Sequence, residues 1–145
     1  MNGDLKVKDI ELLNGIVYEN TLDKQESLPQ WYKKIRRKKL SQLSDGDLAR
    51  FIRQGMYLDY IIHECINRLY KNLFIGEKYD CEVIITLSNY VDYSFWKEKQ
   101  ECKKRMTCFL NHFKTNVSIE SYNELDEFEK IEILESIRRL SKNII

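Results

Sequence analysis

The residues best suited to metal or acid–base chemistry are His63 and Glu64, which stand next to each other in the sequence. In the helical zinc motif of metalloproteases, a second histidine follows the first by four positions and supplies another ligand on the same face. Position 67 holds Asn67, so this run cannot provide that ligand. His112 is also an isolated histidine and is interpreted as structural. We therefore predict no metal site.

Other sequence signatures of catalysis and cofactor binding are missing from the chain. It has only five glycines, and it contains neither a phosphate-binding loop, nor a dinucleotide fingerprint, nor a serine nucleophile elbow. Asp and Glu are plentiful, but nearly all fall on the polar faces of predicted helices, where solvated charge is the simplest interpretation. The sequence predicts a protein that is not an enzyme, with no catalytic residues and no cofactor.

The four cysteines predict a reducing compartment. Cys65, Cys81, Cys102 and Cys108 form no C-x-x-C pair, and free thiols are typical of cytosolic proteins. The first residues lack the basic start and apolar stretch of a secretory signal, and no apolar run approaches the roughly 20 residues that span a bilayer. We expect a cytoplasmic protein with no membrane partner.

A basic run is the best case for a nucleic-acid partner. Its basic residues are Lys33, Lys34, Arg36, Arg37, Lys38 and Lys39. Such clusters can neutralise phosphates, and Trp31 and Tyr32 just before the run could stack on bases. However, the formal net charge of the chain is only +1, and positions 120–135 carry seven acids against Lys130. We favour a solvated or internally paired basic face and expect no direct nucleic acid; the alternative is a helical nucleic-acid-binding or regulatory protein that uses this run.

The elements that carry these residues are predicted to be helices. One proline and five glycines in 145 residues leave few breaks, and 43% hydrophobic with 32% charged residues is a mix that folds around a core. The length suits one ordinary domain. We predict an all-α fold over residues 1–145, a single compact multi-helix bundle of about six to eight helices.

Two helices have the clearest signals. Ser44 and Asp47 are placed to form a capping box at a helix start, and Gly55 suits the left-handed position that closes this helix. The next helix repeats its apolar residues at steps of three and four, the period of one helical face, and we expect it to be the spine of the core. Its apolar residues are Leu58, Ile61, Ile62, Cys65, Ile66, Leu69 and Leu73.

Two later segments have patterns that fit more than one arrangement. Positions 81–90 predict a helix, although Val83-Ile84-Ile85-Thr86 resembles a strand, because no second strand of similar strength exists to pair with it. Positions 122–141 space their apolar residues three apart throughout, so the apolar stripe drifts around a straight helix. Either this last helix is packed on several sides or it breaks near positions 129–132, and the sequence leaves both open.

An ordered pattern of common residues runs over roughly positions 28 to 87. After Leu28-Pro29 its members are Leu40, Leu43, Ser44, Asp47, Leu48, Ala49, Arg50, Ile52, Arg53, Gln54, Leu58, Tyr60, Ile61, Ile62, Ile66, Leu69, Gly76, Glu77, Tyr79, Asp80 and Glu82. In this order and spacing they resemble the helical immunity proteins of bacterial contact-dependent growth inhibition (CDI) systems. One position departs from the pattern, which usually has a glycine where this chain has Cys81.

The resemblance implies a non-enzymatic antitoxin in the cytoplasm of the producing cell. Such a protein binds the cognate C-terminal toxin domain of a cell-surface effector, often a basic nuclease or ribonuclease, and blocks its active site or substrate path. The shared residues are interpreted as scaffold: apolar ones pack and Ser44 caps a helix. Arg50 and Arg53 are expected to pair with acids such as Glu77, Asp80 or Glu82. The residues that recognise the toxin should then lie outside this scaffold.

Exposed acids and aromatic side chains are the expected toxin contacts. Carboxylates complement basic phosphate-binding side chains, and aromatic rings supply contact area. Our predicted toxin-binding residues are Tyr79, Asp80, Glu82, Asp92, Tyr93, Trp96, Glu124, Glu127 and Glu135.

Overall fold

The structure is a computed structural model that describes residues 2–18 and 27–145, apart from the side chains at positions 2 and 120. The described residues form eight α-helices and no β-strand, with one isolated β-bridge between Lys6 and Lys39, so the predicted all-α fold is confirmed. In these ranges no helix is both long and apolar enough to cross a membrane. The chain divides into two compact units, Met1–Leu43 and Ser44–Ile145, and the single-domain arrangement stays a prediction.

The first unit contains helices α1 (Val7–Leu13) and α2 (Ser27–Ile35). The segment after α2 runs beside the start of α1, where the N–H of Val7 donates to the carbonyl of Lys38 at 3.1 Å. Both helices and the segment that follows them contribute buried apolar side chains. These include Val7, Ile10, Ile35, Leu40 and Leu43.

One cation of the basic run is paired inside this first unit. Nη2 of Arg36 donates to Oε1 of Glu11 at 2.6 Å, and the hydroxyl of Tyr32 donates to Oε2 at 2.5 Å. Burial raises the pKa of Glu11, but the bonds from Arg36 and Tyr32 outweigh that effect and hold this pKa below its usual value. The preferred interpretation of internal pairing is therefore confirmed for Arg36, whereas Arg37 and Lys38 are exposed.

The second unit is a bundle of six helices in the described part of the chain. Its central element, α5, packs between α3 and α8. Helix α4 packs against α3 and α7, and the short α6 packs against α7 and α8. The helices are α3 (Asp45–Gln54), α4 (Leu58–Lys71), α5 (Glu82–Tyr90), α6 (Tyr93–Glu98), α7 (Gln100–Asn116) and α8 (Glu127–Ile144).

Helix α3 begins and ends where its local sequence predicts. The hydroxyl of Ser44 accepts from the N–H of Asp47 at 3.0 Å, and the carboxylate of Asp47 accepts from the N–H of Ser44 at 3.0 Å. Two N–H groups of the first turn are thereby satisfied in a reciprocal capping box. At the other end, Gly55 adopts φ 65°, the left-handed conformation that glycine enters without a steric penalty.

The apolar stripe of α4 is buried as predicted, but α5 is the most enclosed helix. Ile61, Ile62 and Ile66 of α4 have no exposed surface, whereas Leu58 at its start is half-buried. In α5, every residue from 82 to 88 is buried. Burial on all sides explains the continuous apolar run that resembled a strand, and the prediction of a helix is confirmed.

Helix α8 is continuous from Glu127 to Ile144, so the proposed break near positions 129–132 does not occur. Its buried face follows a helical period through Ile133, Ile137 and Leu140. The residues that the spacing of three carries off this face are exposed: Phe128 is 75% exposed and Ile131 is 55% exposed. The alternative of packing on several sides is therefore wrong for this end of the helix.

The backbone at Cys81 shows why the pattern over positions 28–87 usually has a glycine at this position. Its backbone has φ 65°, the left-handed region that a side chain makes costly, and its thiol is completely buried at the N-terminal end of α5. This position therefore adopts a backbone conformation that suits glycine, although a cysteine occupies it.

We expect Cys81→Gly to change the free energy of unfolding by less than about 1 kcal/mol. Relief of the left-handed strain offsets the lost burial and the larger entropy of glycine in the unfolded chain. Cys81→Val should destabilise by about 1–3 kcal/mol, because a β-branched residue is poorly tolerated at positive φ. Urea unfolding measures both, with Cys65→Val in α4 as the helical control. Equal stability of the two Cys81 variants would contradict the strain.

Candidate functional site

One histidine and one cysteine, His63 and Cys102, lie side by side in the described structure. Nη1 of Arg105 lies 2.9 Å from Nδ1 of His63, and because Arg105 can only donate, the ring proton is on Nε2, 3.7 Å from Sγ of Cys102. Burial and the charge of Arg105 lower the pKa of His63, while burial raises the pKa of the Cys102 thiol to about 11. These shifts favour a neutral imidazole beside an un-ionised thiol, and a thiol is a much weaker nucleophile than a thiolate.

Glu64, which follows His63 in the sequence, is held by an ion pair. Oε2 of Glu64 accepts from Nε of Arg68 at 2.8 Å within α4, and Arg68 also reaches Asp45 at the start of α3 at 3.0 Å. Over residues 2–18 and 27–145, no group of three His, Cys, Asp or Glu side chains is arranged to hold a metal ion.

A groove on the second unit has the properties of a protein-binding site. We call it the Tyr79–Phe128 groove; it has a volume of about 300 Å³. Its floor is apolar and buried, and its two aromatic walls are open to solvent, with Tyr79 48% and Phe128 75% exposed. The lining residues are Tyr79, Asp80, Ile85, Phe128, Glu129, Glu132 and Ile133.

One wall of the groove comes from the first turns of α8. Asp126 caps this helix, its carboxylate accepting from the N–H of Glu129 at 2.7 Å, while the Glu129 carboxylate accepts from the N–H of Asp126 at 3.2 Å. Along this helix Ile133 is buried in the core, whereas Phe128 is 75% exposed. The exposed phenyl ring is therefore held on a rigid helix rather than on a loop.

The other wall is the segment between α4 and α5, and Glu82 holds it in place. Oε1 of Glu82 accepts from the N–H groups of Glu77 and Lys78 at 2.9 and 3.2 Å. Oε2 accepts from Nη1 of Arg53 on α3 at 3.1 Å. Burial raises the pKa of Glu82, but the two backbone bonds and Arg53 outweigh burial and keep this pKa below its usual value. The predicted pairing of Arg53 with one of these acids is confirmed.

Gly76 shows how tightly this segment is folded. A Cβ atom at this position would lie 2.3 Å from the carbonyl oxygen of Tyr79 and 2.7 Å from Cβ of Glu82. Only a glycine leaves room for the backbone to pass so close to itself. The segment is thereby closed on itself, and it presents Tyr79 and Asp80 at its exposed end.

The groove is negatively charged. Asp80, Glu129 and Glu132 line it, no Lys or Arg does, and in the described part of the chain none of the three carboxylates has a cation within salt-bridge distance. This negative charge also affects the nearby Cys81. Burial, and then repulsion from Asp80 and Glu129, raise the pKa of its thiol to about 12. A partner that fills this groove meets uncompensated negative charge.

Two of the nine predicted toxin contacts, Tyr79 and Asp80, lie in the groove. Five others are exposed outside its lining: Asp92, Tyr93, Glu124, Glu127 and Glu135. Asp92 also has a structural task, because its carboxylate accepts from the N–H of Phe95 at 3.2 Å and caps α6. Phe128, Glu129 and Glu132 also line the groove and were not among the predicted contacts.

Two of the predicted contacts are corrected by their burial. Glu82 is 0% exposed, with its carboxylate bound by backbone N–H groups and Arg53 as described above. Trp96 is also 0% exposed and lies on the buried face of α6, with its ring edge-on to Phe95 at a centroid distance of 5.2 Å. Neither side chain has surface to offer to a partner, so we treat both as structural.

Comparison with known proteins identifies the family. A family model described as CDI immunity proteins matches residues 4–106, more than half of the chain. The chain belongs to this family. No curated protein matches the chain. Membership means that the protein is an immunity protein whose partner is a cognate CDI toxin.

The family match divides the groove of this immunity protein between two regions. The matched residues include the segment with Tyr79 and Asp80 and all of α5. Helix α8, which carries Phe128, Glu129 and Glu132, lies beyond the last matched position, 106. The groove thus combines a wall that belongs to the family scaffold with a wall that lies outside it.

Proposed function

We propose that this immunity protein neutralises the C-terminal toxin domain of a CDI effector by docking the Tyr79–Phe128 groove onto a basic surface of that domain. Docking would occlude the active site or the substrate path, without any catalysis by the immunity protein. The proposed place of action is the cytoplasm of the producing cell, where an incoming toxin would meet it.

The observation that carries this proposal is the combination, in one groove, of exposed aromatic rings with carboxylates that have no salt-bridge partner among the described residues. Phe128 and Tyr79 offer apolar area on fixed backbone, which is typical of the residues that dominate protein interfaces. The three carboxylates favour a positively charged partner, because complementary potentials accelerate encounter and reject unsuited surfaces.

A nuclease is the toxin class that best fits this charge. Nucleases hold phosphate groups with Arg and Lys side chains, and a surface that binds phosphates is complementary to a row of carboxylates. The exposed acids outside the groove, Asp92, Glu124, Glu127 and Glu135, together with Tyr93, stay in the proposal as further contacts around it.

Charge reversal tests this proposal directly. We expect the double variant Asp80→Lys, Glu132→Lys to raise the Kd for the cognate toxin domain by roughly 100-fold or more, because each change replaces attraction by repulsion. Both side chains are exposed, so the fold should be retained. Calorimetric titration with the purified toxin domain gives the Kd, and inhibition of toxin activity gives the functional readout.

The matched control is Glu98→Lys, Glu101→Lys, which makes the same change in net charge at exposed positions away from the groove lining. We expect this control to bind the toxin domain within about threefold of the wild type, because exposed charges outside the docking surface contribute little to affinity. Unchanged neutralisation after reversal of Asp80, Glu132 and all four outer acids would sink the proposed surface.

A further inference from the structure

The dimensions of the Tyr79–Phe128 groove suit one side chain of a partner rather than a whole ligand or a helix. Its volume of about 300 Å³ lies at the lower end of the range for small-molecule sites. Ile85 and Ile133 form the floor with only 5% and 2% of their surface exposed, so the groove ends on packed core. An occupant enters from the solvent side, between the two aromatic walls.

The charge of the groove restricts what that side chain can be. An apolar occupant would strip water from the carboxylates of Asp80 and Glu132 without giving them a partner, which is unfavourable for both. A cationic occupant pairs with the carboxylates while its aliphatic stem covers the apolar floor. Charge complementarity therefore selects a lysine or an arginine.

The aromatic walls select between these two cations. A guanidinium is flat and weakly hydrated, stacks on aromatic faces and donates two parallel hydrogen bonds to a carboxylate. An ammonium is compact and strongly hydrated, so it loses more on entering a groove with phenyl and phenol walls. Phe128 and Tyr79 beside Asp80 are the combination that favours arginine.

We propose that the groove receives a single arginine side chain of the toxin domain, an inference that rests on the proposed function. The stem of this arginine lies over Ile85 and Ile133, its guanidinium stacks against Phe128 or Tyr79, and its N–H groups donate to Asp80 and Glu132. This arginine is the anchor of the complex, and the outer acids surround it.

Double-mutant cycles with the cognate toxin domain test this inference. Each surface arginine of the toxin is replaced in turn by Ala and by Lys, and the Kd is measured against wild type, Phe128→Ala and Asp80→Asn. We expect one toxin arginine whose replacement by either residue weakens binding at least tenfold and whose effect is largely absent in both groove variants. Leu12→Ala is the control, since Leu12 is 76% exposed and comparable to Phe128 in this respect.

The possible outcomes separate this inference from the proposed function. Coupling of both groove variants to one arginine, with no coupling to Leu12→Ala, supports the anchor. If wild-type protein binds and groove variants weaken binding but no arginine couples to them, or if Lys replaces the arginine without loss, the inference is wrong and the proposed function stands. If the groove variants bind as the wild type does, the groove is not the docking surface. If the wild type does not bind the toxin domain, the proposed function itself fails.

Discussion

Replacing Glu82 by alanine is expected to lower the free energy of unfolding by about 3–5 kcal/mol, the range for breaking a buried ion pair from one side. The substitution removes the acceptor of two backbone N–H groups and leaves Arg53 without this carboxylate. The Arg53 side chain is only 25% exposed, so water replaces its lost bond incompletely. Urea unfolding followed by circular dichroism measures the loss.

The conservative change Glu82→Gln separates charge from shape. Its amide oxygen can still accept hydrogen bonds, so we expect a smaller loss of about 1.5–3 kcal/mol at neutral pH, the cost of a charge-assisted bond. In the wild type, the depressed pKa of Glu82 adds stability above the usual value of 4.5, which is lost as the pH falls through the folded-state pKa. The glutamine variant lacks this contribution, so the stability difference between the two proteins should narrow on acidification.

Glu98→Gln is the control for a carboxylate without such partners, since Glu98 is exposed, and it should change stability by less than about 0.5 kcal/mol. A Glu82→Ala variant as stable as this control would contradict the structural role of Glu82. So would a stability difference between the wild type and Glu82→Gln that stays constant from neutral pH to acid. Either result would also mean that Glu82 does not hold the segment with Tyr79 and Asp80 in place.

The features that could be predicted from the sequence are those decided by neighbouring residues. The capping box of Ser44 and Asp47 and the left-handed Gly55 depend on backbone groups within a few positions, so local rules were sufficient. The helical period of α4 likewise needs only the spacing of its apolar residues. For α5, the lack of a pairing strand was enough to reject the strand-like appearance.

The features that were missed depend on residues far apart in the chain. A glutamate is usually a surface residue, so its type alone does not predict that Glu82 is buried. Its carboxylate is paired with Arg53, 29 positions earlier in the chain, and local sequence rules do not reach that far. Phe128 was counted with the apolar stripe of the last segment, because a spacing of three does not reveal which residues face the core. The contact of α5 with α8 fixes that rotation and puts Phe128 beside Tyr79.

The structural role of Trp96 can also be tested by mutation, because the sequence predicts this residue at the surface whereas the structure buries it. We expect Trp96→Ala to destabilise the protein by about 3–5 kcal/mol, the usual cost of truncating a buried tryptophan. Its side chain is fully buried on α6, a helix that packs against α7 and α8, and the alanine would leave a cavity. Tyr93→Ala on the same helix is the control, and we expect a small effect because Tyr93 is 50% exposed.

The indole nitrogen of Trp96 makes a sharper comparison possible. Nε1 is buried and has no hydrogen-bond acceptor among the described residues, and an unpaired buried donor costs about 1–3 kcal/mol. Trp96→Phe removes this donor together with part of the ring, so the two effects oppose each other and the net change should stay within about 1.5 kcal/mol. The folded phenylalanine variant can then be assayed with the toxin domain. If Trp96 is only a core residue, the Kd for the toxin domain remains that of the wild type. A tenfold weaker complex with an intact fold would contradict this and would indicate that Trp96 or α6 takes part in binding.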